Sequence, residues 1–230
     1  MTSSKWHAHG NVYLLVERAD LTPDRVRDEA RGTDGIVQVV AHGRDWVDVA
    51  IWNPDGSQAE LSGNGTRIAA RWLAETTGAK RVHVRVGPRE VTARILADGD
   101  IEQDLGAVEV GAPESVEDVE FVPVSVGNPH AVVRGDPDEI VRIGPLLETH
   151  PRFPERTNVQ LVRVDGPGEV TARVWERGVG ETRASGTSAV AVAAATHGEG
   201  DVLVHFPGGD LRVRLERGRA YLIGPAERLD

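Results

Sequence analysis

The sequence predicts a mixed α+β protein made of two like halves, and three observations lead there. Trp52 and Trp175 stand 123 residues apart, and each lies ten residues before a Ser-Gly pair, Ser62-Gly63 and Ser185-Gly186, so the chain repeats itself. The residues leading into each Trp, Val47-Asp48-Val49-Ala50-Ile51 and Val170-Thr171-Ala172-Arg173-Val174, alternate as half-buried strands do. Beyond each Ser-Gly the pattern turns helical: one helix runs from Asn64 to a stop near Gly78, the other from Thr187 to Gly198.

The correspondence extends outward with small changes of offset, as loops of different length produce. Gly10-Asn11 matches Gly127-Asn128 at 117, and Val37-Gln38-Val39-Val40 matches Val159-Gln160-Leu161-Val162 at 122. Val82 to Ile95 follows Val202 to Leu215 at 120, with turns at Gly87-Pro88 and Pro207-Gly208-Gly209. Each half therefore reads as several short strands, one helix entered through Ser-Gly, and a hairpin. Between Arg94 and Arg134 there is no Lys or Arg but nine acids, which read as a solvated linker and edge strand rather than an acidic docking patch. The boundary is placed near Pro113, giving halves 1–113 and 114–230.

With 40% hydrophobic and 27% charged residues the chain has the composition of a globular protein, not a disordered one. A formal charge of −10 repels a polyanion, which argues against nucleic acid as a partner. No apolar run is long enough for a signal core or a membrane span, so a cytoplasmic location without a membrane partner is expected. The absence of cysteine excludes disulfides, thiolate metal sites and a cysteine nucleophile. The histidines show no metal-ligand spacing, Gly178-Val179-Gly180-Glu181 lacks the third glycine of a dinucleotide fingerprint, and there is no P-loop; neither metal nor nucleotide cofactor is expected. Trp52 and Trp175 read as core anchors.

A helix start presents unpaired N–H groups and the positive end of the helix dipole, so two Ser-Gly starts offer two anion cradles. If they close on one small ligand, Ser62 and Ser185 reach it from opposite sides, which suits the removal of a proton from one face of a carbon and its return to the other. Serine is also a common N-cap, and capping alone accounts for a serine at either position. It does not account for the polar turns that precede them, Asn53 to Gly65 and Glu176 to Ser188, nor for Gly127-Asn128-Pro129-His130 and Thr157-Asn158.

Across Gly10-Asn11, Asn53-Pro54-Asp55-Gly56-Ser57, Gly63-Asn64-Gly65, Gly127-Asn128-Pro129-His130, Thr157-Asn158, Glu176-Arg177-Gly178-Val179-Gly180-Glu181-Thr182 and Pro207-Gly208-Gly209, the chain resembles the diaminopimelate epimerases, of the cofactor-independent amino-acid racemase and epimerase superfamily. The resemblance implies two pseudo-symmetric domains, each a mostly antiparallel sheet curled around a central helix. It also implies interconversion of LL- and meso-diaminopimelate for lysine and cell-wall synthesis, with no pyridoxal phosphate or metal, commonly as a homodimer. Substrate contacts then fall on Asn11, Asn53, Gly63, Asn64, Asn158, Glu176, Arg177, Gly186 and Thr187, and His130 and Glu176 stand where the family assists its two catalytic residues.

Those two catalytic residues are cysteines in the family, and they map onto Ser62 and Ser185. A thiol ionises near pH 8.5 and alternates easily between acid and base, whereas an alcohol is a far weaker acid. Three readings follow: native serines carry the epimerisation with help from His130 and Glu176, the serines are engineered from a cysteine parent to trap a ligand, or the chain keeps the binding cleft for another purpose. The last includes a non-catalytic amino-acid binder and a related racemase or dehydratase. Asp34-Gly35 also departs mildly from relatives, many of which place a longer polar residue beside the Asp.

Overall fold

A computed structural model describes residues 3–17, 20–59 and 61–229; Glu60, in the first polar turn, lies outside them. The chain divides into two compact units, residues 1–104 together with 223–230, and residues 105–222.

The first unit opens with a hairpin, β1 (Ser3–Ala8) and β2 (Asn11–Glu17). After α1 (Pro23–Glu29) the chain enters β3 (Gly35–His42), parallel to β2 with Tyr13 opposite Gly35. β4 (Trp46–Trp52) returns antiparallel with Ile36 opposite Trp52, and β5 (Gln58–Ala59) folds back on its end. α2 (Gly63–Thr77) leads to β6 (Arg81–Val86), parallel to β4, and the antiparallel β7 (Arg89–Ile95) and β8 (Ile101–Ala107) follow.

The second unit repeats this order. β9 (Glu109–Val110) and β10 (Glu114–Val116) both pair with β11 (Val119–Ser125), which forms a hairpin with β12 (Pro129–Arg134). α3 (Ile140–Glu148) precedes β13 (Asn158–Gly166), parallel to β12 with His130 opposite Asn158. β14 (Glu169–Glu176) sets Trp175 opposite Val159, and β15 (Gly180–Thr182) folds back on it. α4 (Gly186–Thr196) crosses to β16 (Gly200–Phe206), parallel to β14; β17 (Gly209–Glu216) and β18 (Arg219–Gly224) complete the set. The last strand, β19 (Glu227–Arg228), pairs with β1 in the first unit. In both units the parallel pairs are those joined by a helix, because only a crossover connection can bring two strands into parallel register.

α4 consists only of Gly, Thr, Ser, Ala and Val and is buried from Gly186 to Ala194. A helix without a polar face has to be surrounded, and strands β11, β12, β13, β14, β16 and β17 surround it. α2 plays the same part, burying Ile68, Ala69, Ala70 and Leu73 among Leu15, Val37, Val49, Val82 and Val84. It ends on Gly78 in the left-handed conformation, φ 76°, whose N–H bonds the carbonyl of Ala74. Among the described residues no helix is long and apolar enough to cross a membrane.

Four features differ from the sequence reading. Each unit has a second helix, α1 or α3, packed on the opposite face of the sheet over the anchor Trp: α1 buries Val26 with Ile36 and Trp52, and α3 buries Ile143 and Leu147 with Trp175 alongside. Gly144 admits that ring, since a Cβ there would lie 2.7 Å from Trp175. The boundary falls after Asp104 rather than at Pro113, because β9 and β10 pair with β11 and so join the second unit. The second helix ends at Thr196 with His197 as its cap, one residue before Gly198. Finally, with Ile36 opposite Trp52 and Val159 opposite Trp175, the strands superpose at an offset of 123, not 122. A slip of one residue reverses every side chain: Gln38 bonds Trp52 Nε1 at 2.9 Å on the α1 side, while Gln160 bonds Ser188 on α4.

Gly35 has φ 154°, and a Cβ there would lie 2.4 Å from the Trp52 carbonyl and 2.9 Å from the Tyr13 ring. Gly35→Ala is therefore expected to cost about 3 kcal/mol in urea unfolding. Gly135→Ala, at an exposed position with open space around it, should change stability by no more than about 0.5 kcal/mol. Equal midpoints for the two variants would refute the β3–β4 register.

Candidate functional site

The start of α2 gathers several of the residues expected from the sequence. Ser62 is extended, and its hydroxyl accepts the Gly65 N–H at 3.1 Å as an N-cap. The same oxygen lies 3.3 Å from the Tyr13 hydroxyl. Asn64 is buried and accepts a hydrogen bond from Arg67, a wholly buried guanidinium that also bonds the Pro225 carbonyl at 3.3 Å and whose Nη1 has no hydrogen-bond partner. Burial pulls the Arg67 pKa down to about 10, against the opposing influence of Asp100 and Tyr13. Gln103, buried on β8, pins the first turn; in the orientation that satisfies its neighbours its amide donates to the Gly63 carbonyl at 3.0 Å and accepts from the Arg67 N–H at 3.2 Å.

Asn11 is 9% exposed, and its side-chain amide has no hydrogen-bond partner among the described residues. An amide so placed offers two donors and an acceptor to a ligand. Asn53 is spent locally: its amide donates to Ser57 at 3.0 Å, inside a turn that Asp55 also ties.

The start of α4 is built differently. Ser185 is extended like Ser62 and 8% exposed, yet its hydroxyl makes no capping bond. Capping therefore accounts for Ser62 and not for Ser185. The turn is held instead by a buried chain of polar groups. Gln160 donates to His130 Nδ1 and to Ser188 Oγ, each at 3.0 Å, and His130 Nε2 lies 3.0 Å from Asn128 Oδ1. An amide oxygen only accepts, so the imidazole proton sits on Nε2. Asn128 in turn donates to Thr187 at 3.5 Å. Burial pushes the His130 pKa down to about 3, with the Arg177 cation adding to the effect and the Gln160 bond opposing it. An open hollow of about 540 Å³ in this unit is lined in part by Gly127, Asn128, His130, Arg152 and Glu155. Ser185 and Glu176 lie outside its lining.

Asn158 clamps the turn after β14, donating to the Pro129 carbonyl at 2.9 Å and accepting the Arg177 N–H at 3.0 Å. One donor and one lone pair of its amide remain. Glu176 accepts from Thr182, and Arg177 reaches the Glu155 carbonyl at 3.3 Å. Glu148, at the end of α3, holds the same turn through Gly178 N–H at 2.8 Å and Trp175 Nε1 at 2.7 Å. Burial works to raise its pKa, but these bonds and nearby Arg156 outweigh burial and hold it below the usual carboxylate range.

The second unit thus brings together Asn158, Glu176 and Arg177 around one turn, and links His130 to Thr187 beside Ser185 and Gly186. The first brings Ser62, Gly63 and Asn64 together and leaves Asn53 in its own turn. Sequence reading missed Tyr13, Arg67, Gln103, Glu148 and Gln160. Gln160 was in view as a repeat match, but the offset of 122 concealed its facing; the others carried no signal beyond ordinary strand or helix residues.

A family model of diaminopimelate epimerase matches residues 122–229. A diaminopimelate epimerase of Synechocystis sp. is 35% identical over 273 residues, covering 100% of this chain and 97% of that one. Another, of Desulforudis audaxviator, is 36% identical over 271 residues, with 99% and 96% covered. Among solved structures, a predicted epimerase from Pseudomonas aeruginosa superposes with a TM-score of 0.79 at 17% identity, covering 99% of this chain and 96% of that chain. A hydroxyproline epimerase from Agrobacterium vitis, with trans-4-hydroxy-L-proline bound, gives 0.70 at 17% identity, covering 98% and 88%. The structural likeness bears out the α+β fold of two pseudo-symmetric units, and the identity across the whole sequence goes further: the chain belongs to the diaminopimelate epimerase family, a family of isomerases.

Proposed function

We propose that the chain interconverts LL- and meso-diaminopimelate by moving the α-proton without a cofactor, supplying lysine and cell-wall precursor synthesis. The observation that carries this reading is Ser185, a nearly buried hydroxyl at the first turn of an apolar helix that caps nothing there. The open amide of Asn11 supports it, as do relatives named for this activity. Inversion at a tetrahedral carbon needs a proton removed from one face and another returned to the opposite face. Ser62 and Ser185, which hold equivalent places in the two units, are assigned one face each.

In this scheme the N–H groups at Gly63-Asn64 and Gly186-Thr187 bind the α-carboxylate and stabilise charge as it develops. The planar fork of Arg177 and the amides of Asn11 and Asn158 hold the distal carboxylate and ammonium, while Asn53, its amide tied to Ser57, shapes its own turn. Glu176 helps Ser185 ionise. His130 is not the base: neutral, with both ring nitrogens bonded, it acts by holding Asn128 and through it Thr187. We place the chain in the cytoplasm as a homodimer acting on the free amino acid, with neither nucleic acid nor membrane as a partner.

The lack of cysteine favours a second reading, an amino-acid-binding homologue without catalysis, because an alcohol transfers protons sluggishly near neutral pH. Solvent deuterium decides between the two. With LL-diaminopimelate in heavy water, deuterium should enter the α-carbon, Ser185→Ala should slow entry by about 100-fold or more, and Ser62→Cys with Ser185→Cys should raise it by orders of magnitude. Calorimetric binding of meso-diaminopimelate with no deuterium entry over hours overturns the epimerase assignment in favour of a binder, and a keto or imine product overturns it in favour of a dehydratase.

The role given to His130 has its own test. Its pKa is about 3 in the folded chain and about 6.5 when unfolded, so between those values the unfolded chain holds the extra proton. The folded state is therefore favoured as pH rises through this window and loses stability as pH falls through it, at up to about 1.4 kcal/mol per pH unit from this group. His130→Gln should flatten the acid limb of stability between pH 4 and 6.5 in denaturant titrations; parallel limbs for the two proteins would show that His130 is charged in the fold.

A further inference from the structure

The two units handle the partner of the helix-start serine differently. Tyr13 stands opposite Gly35 in the β2–β3 pair as His130 stands opposite Asn158 in the β12–β13 pair, so Tyr13 and His130 occupy the same place in the two halves. His130 reaches its helix start only through Asn128 and Thr187, and its ring nitrogens are both engaged. Tyr13 reaches Ser62 directly, with 3.3 Å between the two hydroxyl oxygens. Ser62 already accepts the Gly65 N–H, which leaves it one lone pair and its own proton for the Tyr13 oxygen.

Behind this pair lies Arg67. Its guanidinium is wholly buried, forms no ion pair within 4 Å among the described residues, and keeps one nitrogen unbonded. A buried cation short of countercharge draws a nearby phenol toward its anionic form, and Arg67 and Tyr13 lie within electrostatic reach of each other. Other charged and titratable groups around the strand include Glu17 at its end, Asp34, which accepts the Val12 N–H at 2.7 Å, and Lys5 and His7, opposite Leu14 and Val12 on β1; Asp100 acts on Arg67. A phenol ionises near pH 10, closer to neutrality than an aliphatic alcohol does.

We propose that Tyr13, backed by Arg67, is the proton-accepting positioning residue of Ser62. The inference rests on the assignment of Ser62 to proton transfer. In the forward step the Tyr13 phenolate takes the Ser62 hydroxyl proton as the α-proton passes to Ser62 Oγ; the C–H electron pair stays on the α-carbon, and Tyr13 ends as a neutral phenol. The reverse step returns the proton along the same path. A serine so coupled works against an acid of the tyrosine range rather than against its own alkoxide, which compensates in part for the missing thiol.

The chain has only two tyrosines, Tyr13 and Tyr221, so ultraviolet titration of tyrosinate in Tyr221→Phe reads Tyr13 alone. Tyr13 is expected to ionise below the ordinary phenol range, and Arg67→Met should move it up; ionisation at or above the ordinary range, unmoved by Arg67→Met, overturns the proposal whatever the enzyme does. The second readout is deuterium entry into diaminopimelate by the unaltered chain and by Tyr13→Phe, which keeps the ring and its packing. Entry is expected to slow on the order of 100-fold in kcat with KM within about twofold, and the alkaline rise of the rate should disappear. An unaltered rate and pH profile in Tyr13→Phe, with entry intact in the parent chain, overturns the Tyr13 role and leaves the epimerase assignment standing; no entry in the parent chain overturns both.

Discussion

A helix that is apolar on every side has nowhere to sit except inside a sheet, and once there its first-turn N–H groups need partners that the helix cannot supply. α4 meets that constraint in full; α2, which carries Arg71 and an exposed Glu75, meets it along its buried face and first turn. In the first unit the demand is met largely from within: Ser62 caps Gly65 and the buried amide of Gln103 grips the opening turn of α2. In the second, the cap bond is absent, and the turn is held through Ser188 and Thr187 by the chain of Gln160, His130 and Asn128. That leaves the Ser185 hydroxyl unspent. The opening of α4 is thus held around Ser185 rather than by it, whereas Ser62 holds its own helix start.

The same comparison shows how two copies of one architecture drift apart without losing register. Gly35 and Asn158 occupy one place in the repeat, but only Asn158 has a side chain, which it uses to clamp the Arg177 turn to Pro129. In the first unit that space is filled by the Tyr13 ring and the Trp52 carbonyl. Two buried glutamines, Gln38 and Gln160, look equivalent in sequence and face opposite sides of their sheets. One satisfies an anchor Trp and the other orders a helix start. In the second unit the Trp is served by Glu148 instead, which frees the strand residue for the polar chain.

What could be read from the sequence follows from where the physics is local. The strands into Trp52 and Trp175 and the helices after Ser62 and Ser185 announce themselves because alternation, a polar start and a glycine stop are short-range signals. α1 and α3 do not, because Pro23–Glu29 buries little besides Val26 and Ile140–Glu148 carries Pro145 in its interior. The α1 start is capped by the Thr22 side chain, which accepts the Arg25 N–H, but seven residues are too few to show a period. The residues matched by motif were found where turns concentrate polar groups. Tyr13, Gln103 and Glu148 sit on regular strands and a helix, where an aromatic or polar residue reads as packing or surface. Only the pairing that brings Tyr13 to Ser62 and Gln103 to the α2 start gives them meaning.

The boundary error has the most general cause. Sequence order suggests that the first half ends where its copy of the pattern ends, yet β19 pairs with β1 through Trp6 and Arg228 as β9 pairs with β11 through Val124 and Val110. Each unit is completed by a short strand that follows the other unit's final strands in the chain. The consequence reaches the site, because Arg67 takes a carbonyl from Pro225 in that returning segment. A contact between α2 and the last residues of the chain has a very long loop to close, and such contacts form late. The environment that charges the start of α2 therefore cannot be complete until the second unit has been traversed and the chain has come back.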